Sequence, residues 1–240
     1  MTYQSQTVRN VGWLSSVWRI TTVNPLIEIF ESRKNGFNEL HIAPFPEEIP
    51  NRLINLYSKR GDYILDPFCG SGTTNFMAVL LGRKTIGYDI EEKYIEITKN
   101  RCNNKGLFFC KSSENMKEVY SNSINLCITS PPYLKLRDYS DNPNNIGNMK
   151  NPYPSLKKVF SEVFRALRFR GYFCINVSDV YDKEIKGFSL FPYEILKLCR
   201  EVGFHLEGSI IWDKDVKLNE WNVKNNKTSI NHEYIWVLRK

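Results

Sequence analysis

The first chemistry in the chain lies in Asp66-Pro67-Phe68-Cys69-Gly70-Ser71-Gly72-Thr73-Thr74. A short apolar run, Tyr63-Ile64-Leu65, leads into it, and a run of apolar and small residues, Asn75 to Leu81, leads out. Length and flanks predict a buried strand, a tight loop and a helix. Two glycines let the loop backbone approach a ligand closely, and Thr73 or Thr74 can cap the helix start. The helix N-terminus adds backbone donors and the positive end of its dipole. Such a loop suits a nucleotide-like or amino-acid ligand at the carboxyl edge of a parallel sheet. An ordinary β–α turn is the plainer alternative. Thr85-Ile86-Gly87-Tyr88 reads as a second strand that delivers Asp89. An acid about 20 positions past a glycine loop suits a pair of ribose hydroxyls. The loop lacks the Gly-x-Gly-x-x-Gly of dinucleotide binders and the Gly-Lys-Ser/Thr of phosphate loops, which argues against ATP.

A second loop, Thr129-Ser130-Pro131-Pro132-Tyr133, follows the apolar run Ile124 to Ile128. Two successive prolines stiffen it and leave carbonyls without competing N–H neighbours.

The elements around these loops follow from periodicity. His41-Ile42-Ala43-Pro44-Phe45-Pro46 is stiff and extended, and Glu47 to Ser58 has helical spacing at Ile49, Leu53 and Ile54. Glu92 to Asn103 reads as a helix and Leu107 to Cys110 as a third strand. Ser155 caps a long amphipathic helix carrying Leu156, Val159, Phe160 and Val163, which Gly171 ends. Tyr172 to Val177 is the fifth strand, and Phe191-Pro192-Tyr193 opens a helix that Gly203 closes. Ser209 to Trp212 and Tyr234 to Leu238 are the last two strands, close together in sequence. The pattern predicts an α/β fold: a mostly parallel seven-stranded sheet with one antiparallel strand near an edge. Residues 1–40 are mixed, and Trp13, Trp18 and Ile20 are expected to pack on the body, with stacking on a base as the alternative.

The totals set bounds. At 240 residues, 42% hydrophobic and 25% charged, the chain suits one large soluble domain. No apolar run approaches the length of a membrane span, and Met1 to Gln6 does not resemble a secretory signal. Six scattered cysteines without a Cys-x-x-Cys pair argue against zinc and for reduced thiols in a cytosol. A net charge of +7 is compatible with nucleic acid.

Asp66 to Thr74 followed by Ile86-Gly87-Tyr88-Asp89, together with Ser130-Pro131-Pro132-Tyr133, resembles the amino-group DNA methyltransferases that act on cytosine N4 or adenine N6. The resemblance implies a Rossmann-like S-adenosylmethionine-dependent methyltransferase fold in a prokaryotic cytoplasm, over residues 1–240. Residues 41–110 are then the cofactor half and residues 120–240 the catalytic half, a circularly permuted order. Leu136-Arg137-Asp138-Tyr139 and Asn231-His232-Glu233-Tyr234 belong to the resemblance as well. The cofactor, S-adenosylmethionine, is expected on Ala43, Pro44, Phe45, the loop from Asp66 to Thr74, Asp89, Ile90 and Ser112. Relatives commonly place Gly-Asp after the third strand to meet the adenine amino group. Here Lys111-Ser112-Ser113 stands instead, so Ser112 or a backbone group must substitute.

The resemblance makes Ser130, Pro131, Pro132 and Tyr133 the catalytic residues. Ser130 Oγ and the Pro131 carbonyl accept the amine hydrogens and free the nitrogen lone pair, and Tyr133 stacks on a base flipped out of the duplex. Positioning is then most of the catalysis, with no metal. Serine at the first position, with Ile146-Gly147 downstream, favours cytosine N4 over adenine N6 in a restriction-modification setting. An RNA base-amine methyltransferase and a cofactor-binding subunit needing a partner are the alternatives. The place where relatives often carry target recognition coincides with the chain ends. Recognition is therefore expected from Leu134 to Pro154, from Asp213 to Asn231 with Lys214, Lys217, Trp221, Lys224 and Lys227, from a homodimer, or from a separate subunit.

Overall fold

A computed structural model describes residues 11–21, 46–133, 142–179, 181–182, 186–214 and 231–240. The strands are β1 (Val17–Arg19), β2 (Tyr63–Asp66), β3 (Lys84–Asp89), β4 (Leu107–Cys110), β5 (Ile124–Thr129), β6 (Leu167–Val177), β7 (Tyr181–Asp182), β8 (Gly187–Phe188), β9 (His205–Asp213) and β10 (His232–Arg239). The helices are α1 (Glu48–Tyr57), α2 (Thr73–Leu80), α3 (Glu92–Arg101), α4 (Tyr153–Ala166) and α5 (Phe191–Val202). The main sheet has the order β1-β9-β10-β6-β5-β2-β3-β4, and β7 and β8 form a separate hairpin.

Strand β10 is antiparallel to both neighbours, β6 and β9, and every other pair in the main sheet is parallel. The sheet has eight strands rather than the expected seven. The extra one is β1, whose register sets Val17 against Ile211 and Arg19 against Asp213 at the outer edge of β9. Trp18 is 1% exposed, its indole donates to the Trp13 carbonyl at 3.2 Å, and Trp212 donates to the Ile20 carbonyl at 2.8 Å. A buried indole keeps its ring in the core when its N–H finds such an acceptor. Trp18 and Ile20 therefore pack on the body, as expected.

Alternation along the strands sorts the core onto two faces. Leu65, Cys127, Phe173, Ile175, Trp236 and Leu238 join one cluster with α4 and α5. Ile64, Leu126, Ile128, Cys174, Ile235 and Val237 join the other with α1, α2 and Trp18. Two predicted boundaries move. Helix α4 starts at Tyr153 behind Pro152, so Ser155 lies inside its first turn and is not the cap. Strand β6 begins directly after Ala166, so Gly171 lies within the strand. A Cβ at Gly171 would stand 2.9 Å from the Arg168 carbonyl, which is why a glycine belongs at this irregular crossing.

Candidate functional site

The order of the strands creates the site. From β2 the chain runs outward to β3 and β4, then returns to the other side of β2 as β5. The reversal opens a crevice at the carboxyl ends of β2 and β5, the place where open α/β sheets bind ligands. Both motif loops end there. Asp66 closes β2, and Ser130 follows Thr129 at the end of β5.

Asp66 and Thr129 join the two loops. Asp66 Oδ1 accepts the Thr129 hydroxyl at 2.7 Å and the Phe68 backbone N–H at 3.1 Å. Asp66 is 2% exposed, and burial pushes its carboxyl up to about 6. The glycine loop is held from behind. Thr98 donates to the Gly70 carbonyl at 2.9 Å, and Arg101 donates to the Ser71 carbonyl at 2.9 Å. The same guanidinium pairs with Glu47 at 3.0 Å, tying α3 and the loop to the start of α1.

Gly72, with φ of +79°, takes the cap position of α2 and has no side chain with which to cap it. The expected Thr73 or Thr74 cap therefore does not form, because both residues already lie inside the helix. A left-handed residue at this point is what turns the loop into α2.

Asp89 ends β3 beside the loop. Its Oδ2 accepts the Gly70 N–H at 2.9 Å and its Oδ1 accepts the Glu91 N–H at 2.9 Å. Burial pushes its carboxyl up to about 6 despite these donors. Burial, reinforced by Asp89 and Asp66, also pushes the Cys69 thiol well above its ordinary range, so Cys69 is no ready nucleophile.

These groups surround a cleft of about 970 Å³, part of it open to solvent. It is lined by Asp66 through Thr74 except Gly72, by Asp89, Ile90 and Ser112, and by Ser130, Pro131, Pro132 and Tyr133. Gly72 sits behind the loop, where a Cβ would meet Thr98 at 2.6 Å. Ala43, Pro44, Phe45 and Leu136 to Tyr139 lie outside the described residues, as do Lys217, Trp221, Lys224 and Lys227.

The cleft also takes in residues that were not among the expected contacts, Glu91, Tyr94, Asn144 and Asn145, together with Lys111, Ser113 and Ile146, which the sequence marks only as neighbours of the motifs. Glu91 Oε1 is buried with no hydrogen-bond partner among the described residues. Glu91 directly follows the Asp89-Ile90 pair, so two carboxylates near one loop were a usable signal. Lys111 pairs with Glu118 at 2.6 Å, and Tyr88 donates to the same carboxylate at 3.2 Å. Ser112 Oγ accepts the Glu114 N–H at 3.3 Å.

The Ser130 loop meets a second polar group. Ser130 Oγ lies 3.4 Å from the Tyr133 hydroxyl, which donates to Glu233 Oε2 at 3.2 Å. The Tyr133 ring leans on Phe191, with centroids 5.9 Å apart.

The chain is 38% identical over 92 residues to the Type II methyltransferase M.MthZI of Methanothermobacter thermautotrophicus, covering 38% of this chain and 24% of that protein. It is 52% identical over 63 residues to the Type II methyltransferase M2.LlaDCHI of Lactococcus lactis subsp. cremoris, covering 26% of this chain and 23% of that protein. The matched stretches thus span about a quarter of those relatives. A TehB-like SAM-dependent methyltransferase structure from Corynebacterium glutamicum superposes with a TM-score of 0.54 at 16% identity, over 90% of this chain and 96% of that one. At that identity the likeness establishes the fold, that of S-adenosylmethionine-dependent methyltransferases. The family model described as DNA methylase, N6_N4_Mtase, matches residues 1–100 and 124–240. With the model matched along most of the sequence and both motif loops meeting in one cleft, the chain belongs to the N6/N4 DNA methylase family, whose cofactor is S-adenosylmethionine.

Proposed function

We propose that the chain transfers a methyl group from S-adenosylmethionine to the exocyclic N4 amine of a cytosine flipped out of duplex DNA. The observation that carries this reading is the Asp66–Thr129 bond, which fixes the glycine loop and the Ser130 loop at the two lips of one cleft. The cofactor's chemistry fits the groups present. Asp89 at the end of β3 suits the ribose hydroxyls, with the orphaned Glu91 oxygen beside it. The glycine loop and the start of α2 take the methionine part, and Ile90 and Ser112 border the adenine. When bound, the cofactor supplies a methyl group already activated by a sulfonium.

The protein's own part is orientation. Ser130 Oγ and the Pro131 carbonyl accept the amine hydrogens, so the nitrogen lone pair points along the line of transfer. Tyr133 presents its ring to the flipped base. Serine at position 130 and Ile146-Gly147 beside the cleft favour cytosine. The chain works as one catalytic domain, with target recognition from the basic stretches around 134–154 and 213–231 or from a second subunit.

The reading is tested by incubating the protein with labelled S-adenosylmethionine and unmethylated genomic DNA, then identifying the modified nucleoside by mass spectrometry. N4-methylcytosine is expected. N6-methyladenine would overturn the assignment of the base, and label appearing only in RNA would overturn the substrate.

A pH dependence arises from Asp89. The ionised form, which accepts hydrogen bonds from both ribose hydroxyls, prevails above about 6 and is lost as pH falls through that value. Cofactor Kd is expected to rise about tenfold between pH 7.5 and pH 5. Asp89→Asn should bind weakly at both pH values and flatten the slope. Titration calorimetry decides it: a slope that persists in Asp89→Asn belongs to Asp66.

A further inference from the structure

We infer that Glu233 is a positioning residue that sets the direction of the hydrogen bonds in the Ser130 loop, a role that rests on the proposed methyl transfer. Glu233 lies at the start of β10, 8% exposed, between groups from three other parts of the fold. Lys214, just past β9, places Nζ 2.6 Å from Glu233 Oε1. Asn176 of β6, 3% exposed, donates its amide to Glu233 Oε2. Tyr133 donates its hydroxyl to the same oxygen at 3.2 Å. Glu233 is therefore an acceptor held by three donors, two of which come from residues with no place in the cleft wall.

The consequence is one of hydrogen counting. A phenol carries a single hydroxyl hydrogen, and an ionised carboxylate can only accept. Once Tyr133 gives its hydrogen to Glu233, the 3.4 Å contact between Tyr133 and Ser130 can be made only with Ser130 as donor. The Ser130 hydrogen then points at Tyr133, and the Ser130 lone pairs are left for a substrate amine. Without an acceptor-only partner the polarity is undefined. Tyr133 could then donate to Ser130, and Ser130 would turn its own hydrogen toward the amine it must hold. Lys214 and Asn176 keep Glu233 in place and in its accepting role.

The test is a cycle of Glu233→Gln, Tyr133→Phe and the double variant, each assayed for methyl transfer to DNA. A glutamine keeps the shape but can present N–H to Tyr133, and a phenylalanine keeps the ring on Phe191 without the hydroxyl. Each single variant is expected to lose about tenfold in kcat, the difference between a charge-assisted and an undirected hydrogen bond, with KM for S-adenosylmethionine unchanged. The double variant is expected to lose no more than either single one, because both remove one relay. A loss of about a hundredfold in the double variant, a loss confined to KM, or full activity in Glu233→Gln would overturn the role.

Should Glu233→Gln not fold, Tyr133→Phe decides: full turnover in it removes the relay. If the wild-type protein methylates no DNA, the proposed reaction fails separately. Amide exchange of the peptide holding Ser130 and Tyr133 then judges the positioning. Exchange about tenfold faster in Tyr133→Phe, with β5 unchanged, supports it, and unchanged exchange sinks it.

Discussion

Ser130→Ala lowers turnover by about 100- to 1,000-fold, the usual effect of removing one preorganised hydrogen-bonding group from a reacting centre. Cofactor affinity stays within about twofold, because the lost group acts only on the amine during transfer. The geometry separates the two effects. The anchor of the loop is Thr129, whose hydroxyl reaches Asp66, and that bond survives the substitution. Ser130 itself is only half-buried and contributes no ring or long aliphatic chain to either core cluster. Single-turnover methyl transfer to DNA, alongside calorimetric titration of the cofactor, reads both quantities. Full turnover would remove Ser130 from the reaction. Equal losses in affinity and rate would place it in the cofactor site.

Gly72→Val is the second large effect, expected to weaken cofactor binding by more than about 100-fold. Two penalties coincide there. The backbone holds φ of +79°, which costs a side chain with a Cβ about 1–2 kcal/mol. That Cβ would stand 2.6 Å from both Oγ1 and Cγ2 of Thr98. Thr98 cannot move aside cheaply, since its hydroxyl holds the Gly70 carbonyl and its side chain is fully buried. Overpacking of that kind costs about 1–3 kcal/mol more. Because Gly70 also donates to Asp89, relief by shifting the loop spreads to the ribose end of the cleft. Titration calorimetry together with thermal melting measures the two parts. Wild-type affinity in Gly72→Val would mean that the loop's shape does not matter to the ligand.

What could be read in advance was local. Tyr63 to Asp66, the glycine loop and α2 announce themselves within about 20 consecutive residues, and so does the step from Ile124 to Tyr133. The alternation of strands and helices was enough to place both loops at the same edge of a parallel sheet. Strand β1 escaped because three residues carry no period, and its pairing partner lies near position 212, far along the chain. The Glu233 cluster escaped for the same reason. Tyr133 and Glu233 are 100 positions apart, and Asn176 and Glu233 are 57 apart, so no window of sequence holds them together. The helix caps failed differently. Ser155 and Thr73 have the right side chains, but Pro152 and Gly72 fix the backbone a turn or a residue earlier.

Strand β1 has one more consequence, in the order of events as the chain is made. Its partner edge includes Asp213, 194 residues beyond Arg19. At ribosomal speeds of about 5–20 residues per second, that separation is a wait of roughly 10–40 s. During that wait the Trp18 indole, which shares its core cluster with α1, α2 and β9, lacks the β9 part of its cover. Contacts of such long range also slow the search once synthesis ends. Of the described strands β1 is therefore made early yet docks only after β9 has emerged, and until then the Trp18 indole lacks its strand partner.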